Sequence, residues 1–312
     1  MITYGHEIYI RQAIDSILMQ KVSFKYEIII GEDKSPDNTR DVLLEYKVKY
    51  PEIFNLLLRD ENLGPTMNSY DVFMKCKGKY IAILEGDDYW TDPFKLTKQV
   101  EFLEQHQEYI GVAHKFNTVN KSGIIINNLL NMTTFKNVNY NMKNFLNNIF
   151  PLQIATLLFK NIFLETNNKY EIIYQASPVV GDITLVMVLL DMSDIFIMGD
   201  NMSAYRYVNE IGGTNCSSIP IQKLRFNRIE QTFKLENYFH NKYSMSKWRT
   251  VNWVGLALLL FKDKNKPKRI NQALSLLKNI KYKDALFIIM FGLKYIIKKS
   301  FKSGLLKLKQ YD

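Results

Sequence analysis

Along its first ninety residues the chain alternates short apolar runs with longer stretches in which apolar residues recur every three or four positions. Residues 1–4 read as the end of a strand, 26–30 and 54–58 as two more, and 80–84 as a fourth, whose unbroken apolar character suits a strand covered on both faces. Between them, Ile10, Ile14, Ile17 and Leu18 mark a helix over 7–20. A second helix runs over 39–50 and is stopped by Pro51, and the turn Asn62-Leu63-Gly64-Pro65 opens a third that reaches Cys76. The order βαβαβαβ calls for an α/β fold with a parallel sheet, right-handed crossovers and helices on its faces. Such sheets bind ligands at the carboxyl ends of their strands. Here those ends carry Thr3, Asp33 and the run Glu85-Gly86-Asp87-Asp88.

Downstream the pattern predicts a helix over 94–105, two strands within 110–126 around the turn Lys121-Ser122-Gly123, and an Asn-rich excursion over 127–150 with a helix near 142–149. A strand at 154–159, a helix opened by Gly181-Asp182 and continuing to Leu190, and a strand at 195–198 follow. Tyr205-Arg206 and Gly212-Gly213-Thr214 form a polar segment, and beyond Ile221 the pattern turns helical and basic. The apolar stretches 251–261 and 285–293 are too short to span a bilayer. There is no internal repeat and no GxGxxG or GxxxxGK[ST] loop, which weighs against a dinucleotide or P-loop enzyme.

Bulk composition is that of a globular protein, with 47% hydrophobic residues in 312, but charge is unevenly spread. Residues 221–312 hold 21 Lys and Arg against 5 Asp and Glu, a net of +16, which leaves −6 for residues 1–220 of the total of +10. Two domains are therefore expected, an acidic one over 1–220 and a basic helical region over 221–312. Charge alone lets the latter meet nucleic acid, an anionic membrane face or a phosphorylated substrate. Its aromatics fall at helical spacing among aliphatics, which argues against a stacking platform for RNA, so no nucleic acid partner is expected. Residues 284–309 set Phe287, Met290, Phe291, Tyr295 and Ile296 against six lysines, a pattern that suits a helix lying in a headgroup interface and equally a hairpin with a solvated lysine face. Two distant cysteines without metal spacing and the lack of a secretory leader give a cytoplasmic default.

Three carboxylates crowded after one strand repel each other, and a shared divalent cation relieves them, Mg²⁺ or Mn²⁺ for all-oxygen ligands. The plainer alternative, a polar loop with Asp92 as N-cap and Pro93 at the first helical position, explains Asp92 and leaves Glu85, Asp87 and Asp88 without a role. Asp33 fits an Asx turn or a helix cap as well as a ligand contact. Asp182 reads evenly as an N-cap or as a general base. The four histidines (His6, His106, His114, His240) share no ligand spacing and read as core or surface residues.

Four segments, in order, resemble glycosyltransferase family 2 of the GT-A fold. EIIIGEDKSPDNT at 27–39 resembles that family's EIIVVDDGSTDNT, and ENLGPTMN at 61–68 its NxGxxxAxN. LEGDDYWTDP at 84–93 resembles its DxDD segment, and VGDITL at 180–185 its EDxxL. The resemblance covers roughly residues 1–218 and implies a doubly wound, mostly parallel sheet flanked by helices, followed by the basic helical extension. It implies an inverting, metal-dependent transfer from a nucleoside-diphosphate sugar, UDP-linked, to a glycan or lipid-linked acceptor in bacterial surface polysaccharide synthesis, at or near the cytoplasmic face of the inner membrane. Asp88 would ligate Mn²⁺ or Mg²⁺, Asp87 would approach the ribose and the metal, and Glu85 stands at the first acid of the DxD. Thr3, Glu32, Asp33, Asn62, Asn68 and Asp87 would surround the nucleotide, Asp33 accepting the uracil N3 proton, and Asp182 would be the catalytic base. A catalytically inactive sugar-nucleotide or glycan-binding partner in glycan assembly is the alternative. The chain departs from the family at Lys34 (usually Gly), Gly181 (usually Glu) and Val208 (often His). The family also carries residues before its first strand, so the start at Met1 reads as truncated or misassigned.

Overall fold

The structure is a computed structural model that describes residues 1–126, 137–150, 152–164, 169–208 and 219–262. The chain divides into two compact units, Met1–Ile219 and Pro220–Asp312.

In the first unit β1 (Ile2–Thr3), β2 (Ile28–Glu32) and β3 (Phe54–Leu58) form a parallel sheet in that spatial order, linked by α1 (Ile10–Leu18) and α2 (Thr39–Lys49). Every residue of β2 is buried, which is why its sequence is an unbroken apolar run ending in Gly31-Glu32. Helix α1 buries the stripe Ile10, Ala13, Ile14 and Ile17, each buried isoleucine stabilising the fold by about 2 kcal/mol. Gly64, at φ 81°, turns the chain into α3 (Pro65–Lys75), whose first position is the proline that needs no donor there.

Strand β4 (Tyr80–Ala82) begins the second sheet. It pairs antiparallel with β8 (Leu158–Lys160), which in turn pairs antiparallel with β6 (Gly111–Val119). Parallel pairing returns between β6 and β9 (Ile195–Arg206), and β5 (Tyr89–Trp90) and β7 (Val138–Tyr140) add antiparallel to β9. The expected parallel pattern thus holds over β1–β3, and the later strands make the rest mixed. The two sheets meet where Ile2 bridges Glu85 in parallel and the Gly86 N–H donates to the Ile2 carbonyl at 3.0 Å. That junction sets the acidic run beside the end of β1.

Several details differ from the sequence reading. One strand, β6, and a single bridge between Val119 and Ile125 replace the two strands expected in 110–126. The strand expected at 154–159 is a short 3₁₀ turn (Ile154–Thr156) followed by β8, and β9 runs to Arg206 rather than stopping at Met198. Helix α4 (Lys95–Gln105) is close to expectation, and the excursion's helix is the short α5 (Met142–Leu146), held by an Asn141–Asn144 capping box. A four-residue α6 (Ile172–Gln175) precedes α7 (Asp182–Met192), which buries eight successive residues and so reads apolar all round.

In the second unit α8 (Ile221–Tyr238) and α9 (Ser246–Lys262) bury Ile229, Trp253 and Leu256 between them. A buried ion pair, Arg249 Nη1 to Glu236 Oε1 at 2.8 Å, is completed by the Met245 N–H donating to Glu236 Oε1 at 2.7 Å. Among the described residues no helix is long and apolar enough to cross a membrane. Residues 127–136, the Gly212-Gly213-Thr214 segment and the 284–309 stretch lie outside the described residues.

Candidate active site

The carboxyl ends of β1, β2 and β4 are laced into one rim by backbone bonds. The Asp33 N–H donates to the Thr3 carbonyl at 3.1 Å, one residue beyond the Gly86 to Ile2 bond on the other side of β1. Thr3, Asp33 and the acidic run are therefore neighbours. The 178–182 segment lies against the start of α3, with Gly64 next to the Pro178 carbonyl and Gly181 next to Thr66.

Glu85, Asp87 and Asp88 converge so that one carboxylate oxygen from each lies within 4.8 Å of the others. Asp88 is buried: its Oδ1 accepts from the Arg206 backbone N–H at 2.8 Å and its Oδ2 from Gln153 Nε2 at 2.7 Å. Burial, then the charges of Asp87 and Glu85, hold the Asp88 carboxyl well above the usual carboxylate range. Glu85 is pushed up to about 8 by burial first and then by the charges of Asp87 and Asp182. That last cause puts Asp182 within electrostatic reach of the cluster. Three hard oxygen donors converging within 4.8 Å, two of them raised by burial and by their neighbours' charge, fit a Mg²⁺ or Mn²⁺ ion.

Arg206 is the buried cation that organises this loop. Its Nε donates to the Asp87 carbonyl at 2.9 Å, Nη1 to the Asn120 and Lys121 carbonyls at 3.2 and 2.9 Å, and Nη2 to Gln12 Oε1 at 2.6 Å. The guanidinium lies 4.4 Å from the Tyr9 ring centroid and 5.5 Å from that of Tyr89. One side chain thus ties α1, the acidic loop and the turn after β6 together, while its own backbone holds Asp88.

The sequence profile described as "Glycosyl transferase family 2" matches residues 1–163, just over half of the 312-residue chain. The chain belongs to this family. An uncharacterized protein of Mycobacterium bovis is 32% identical over 214 residues, 66% of this chain and 57% of that protein, so the chain spans little more than half of that relative's length. A poly(ribitol-phosphate) beta-glucosyltransferase of Bacillus spizizenii is 30% identical over 122 residues, 39% of this chain and 19% of that protein. Among solved structures, S. aureus TarS 1–349 in complex with UDP-GlcNAc superposes with a TM-score of 0.59 at 16% identity, over 88% of this chain and 78% of that one. At that identity the likeness is one of fold, a GT-A α/β fold with helices flanking the sheet.

Within the family's motifs, the remaining polar residues have definite places. Both Asp33 oxygens receive backbone N–H groups, from Leu63 at 2.7 Å and Gly64 at 3.0 Å, while burial, the larger influence, raises its carboxyl. Asn62 closes the same turn: Nδ2 donates to the Asp33 carbonyl at 3.2 Å, and Oδ1 accepts from the Gly64 N–H at 3.1 Å. Glu32 is 0% exposed, accepting from Arg40 Nε at 2.5 Å and from the Ser35 N–H at 2.6 Å. Asn68 is 1% exposed and spans from the Gly31 carbonyl (2.9 Å) to Arg59 Nε (3.2 Å). Glu32 and Asn68 thus shape the loop that carries Asp33. Asp182, at the first position of α7, accepts from the Ile183 N–H at 2.8 Å. A Cβ on Gly181 would lie 3.2 Å from Thr66 Cγ2, so the family's Glu would crowd Thr66 here. Lys34 takes φ 58°, the left-handed conformation that accounts for the family's Gly. Trp90 is buried in the core, donating Nε1–H to the Ala155 carbonyl at 3.0 Å, with Lys95 Nζ 3.9 Å from its ring centroid.

Three residues at the rim escaped the sequence reading. Gln153 and Arg206 contact Asp88 across 65 and 118 positions, and no local signal marks such partners. His6, set aside for want of ligand spacing, is 8% exposed, with Nδ1 3.1 Å from Thr3 Oγ1 and Nε2 4.0 Å from Asp87 Oδ2. Its signal was topological, because the loop after β1 must line the rim.

Proposed function

We propose that the chain transfers a sugar, with inversion, from a UDP-sugar to a glycan or lipid-linked acceptor of a bacterial surface polymer. The observation that carries this reading is the Glu85, Asp87 and Asp88 cluster on a rim shared with Thr3 and Asp33 and felt by Asp182. Glu85, Asp87 and Asp88 would hold Mn²⁺ or Mg²⁺, which when bound supplies positive charge to a diphosphate leaving group. Asp33, on the turn shaped by Glu32, Asn62 and Asn68, receives the base beside Thr3, and Asp87 approaches the ribose. Asp182 takes the proton of the acceptor hydroxyl as its oxygen bonds to the anomeric carbon and the bond to the diphosphate oxygen breaks. The TarS complex with UDP-GlcNAc and the poly(ribitol-phosphate) relative support a UDP donor and an acceptor in the class of wall polymers.

The test is UDP release from a panel of UDP-sugars with Mn²⁺ or EDTA. Slow hydrolysis of one donor, lost with EDTA and lowered at least 100-fold in kcat by Asp182→Asn, is expected. Near-normal turnover of Asp182→Asn removes it as the base. Tight UDP binding with no turnover of any donor, tried with crude wall-polymer acceptors, would leave a binding partner in glycan assembly instead. Membrane contact through 284–309 is tested by flotation with anionic vesicles, and absence of binding at low salt would remove it.

A further inference from the structure

We propose that His6 is a positioning residue for Asp87, holding that carboxylate in the orientation the cation needs. The proposal rests on the metal reading above and adds to it a residue outside the ligand set.

His6 is held through its backbone and through one ring nitrogen. Its N–H donates to Thr39 Oγ1 at 2.9 Å, and its carbonyl accepts from Tyr9 and Ile10, both at 2.8 Å, at the start of α1. The ring is buried, and Thr3 Oγ1 lies 3.1 Å from Nδ1. With the Thr3 hydroxyl donating to Nδ1, the ring presents an N–H at Nε2, which lies 4.0 Å from Asp87 Oδ2, longer than a hydrogen bond and close enough for one to form when the carboxylate turns toward a cation. The acidic loop has a gap for this pair. A Cβ on Gly86 would lie 2.5 Å from Thr3 Oγ1 and 2.7 Å from His6 Nδ1, so only a glycine between Glu85 and Asp87 leaves the Thr3–His6 pair its room.

The chemistry explains why an imidazole suits this place. Metal-ligating carboxylates are oriented by hydrogen-bonded partners behind them, and losing such a partner weakens metal binding or activity about 10–100-fold. Asp88 has two, Gln153 and the Arg206 N–H. On the other side of the cluster, an Nε2–H of His6 can play that part for Asp87 without the permanent charge that Lys or Arg would set against the metal. Thr3, expected at the nucleotide, thereby acquires a second duty in setting the tautomer.

The experiment is titration of the full chain with Mn²⁺ in the presence of UDP, reading free Mn²⁺ by electron paramagnetic resonance and the metal-free melting point in parallel. His6→Ala is expected to weaken Mn²⁺ about 10–100-fold, with the parallel melting point showing that the variant is still folded at the titration temperature. His6→Gln, which can present an amide N–H near the Nε2 position, recovers most of the affinity. Thr3→Val, compared with wild type in a titration without UDP because Thr3 also faces the nucleotide, weakens Mn²⁺ on its own and adds nothing to His6→Ala; should His6→Ala not fold, Thr3→Val and His6→Gln carry the comparison. Wild-type Mn²⁺ affinity in His6→Ala, or a Gln variant no better than Ala, overturns the proposal and leaves the metal site standing. A wild-type protein that takes up no Mn²⁺, indistinguishable from Asp88→Asn, overturns the metal reading and this one with it.

Discussion

Asp88→Asn should make the metal-free protein more stable and deaf to metal. The oxygens of the three acids lie within 4.8 Å, where two unit charges repel by about 3 kcal/mol at an effective dielectric near 20. Because Glu85 is held up to about 8 and Asp88 well above the usual carboxylate range, the metal-free cluster already sheds much of this repulsion by holding protons at neutral pH, and a neutral amide at 88 removes only what is left, at most about 3 kcal/mol. Against this gain stands Gln153. Its Nε2 would face the new amide NH₂, and turning it would give up the bond from the Ala155 N–H to its Oε1, a cost of about 1–2 kcal/mol. The net is a stabilisation of up to about 1–2 kcal/mol, or up to about 5 °C in Tm for a unit of this size. Wild type, by contrast, gains about 2.7 kcal/mol when Mn²⁺ and UDP reach 100 times their Kd, and the variant should gain none. Differential scanning calorimetry with and without Mn²⁺ and UDP reads both numbers. A variant that melts below wild type without metal, and still rises with Mn²⁺ and UDP, would refute the reasoning.

Other outcomes follow from the same geometry. Arg206→Lys cannot reproduce a fork that reaches the carbonyls of Asp87, Asn120 and Lys121 and the Gln12 amide, so urea unfolding should show a loss of about 3 kcal/mol; a loss under ~0.5 kcal/mol would mean the guanidinium does not hold the loop. Glu85 titrates near 4.5 unfolded and about 8 folded, so the unfolded chain ionises first as pH rises; metal-free stability should fall between those values, while Mn²⁺ affinity rises over the same window, and flat profiles would contradict the burial of this acid. Lys34→Gly removes a left-handed side-chain cost of about 1–2 kcal/mol and adds back ~0.5–1 kcal/mol of chain freedom, for a net gain of up to about 1 kcal/mol by thermal melt; a destabilised variant would show that the Lys34 side chain contributes a contact of its own.

Legibility in the sequence followed the range of the interactions. Strand β3 and helix α3 were readable because an apolar run, a Gly at φ 81° and a proline at the first helical turn are all local. The acidic cluster was readable because like charges so close in sequence need an explanation. Strand β9 was read short because Asp200 and Asn201 are exposed in mid-strand, where the β6–β9 register slips around Lys115 and the apolar alternation breaks. The antiparallel insertion of β8 beside β4, and the grip of Gln153 and Arg206 on Asp88, depend on pairings that no window of the sequence contains. His6 was passed over on ligand spacing, although the strand order alone brought its loop to the rim.

The central claim is a cation held by the acids after β4 in front of a nucleoside diphosphate. The most direct test is an anomalous difference map from crystals soaked in MnCl₂ and UDP, recorded at the manganese edge. A single strong peak bounded by Glu85, Asp87 and Asp88, with diphosphate oxygens against it, is the predicted result. UDP bound on the rim with no manganese peak among those three carboxylates, or a peak elsewhere, would contradict it.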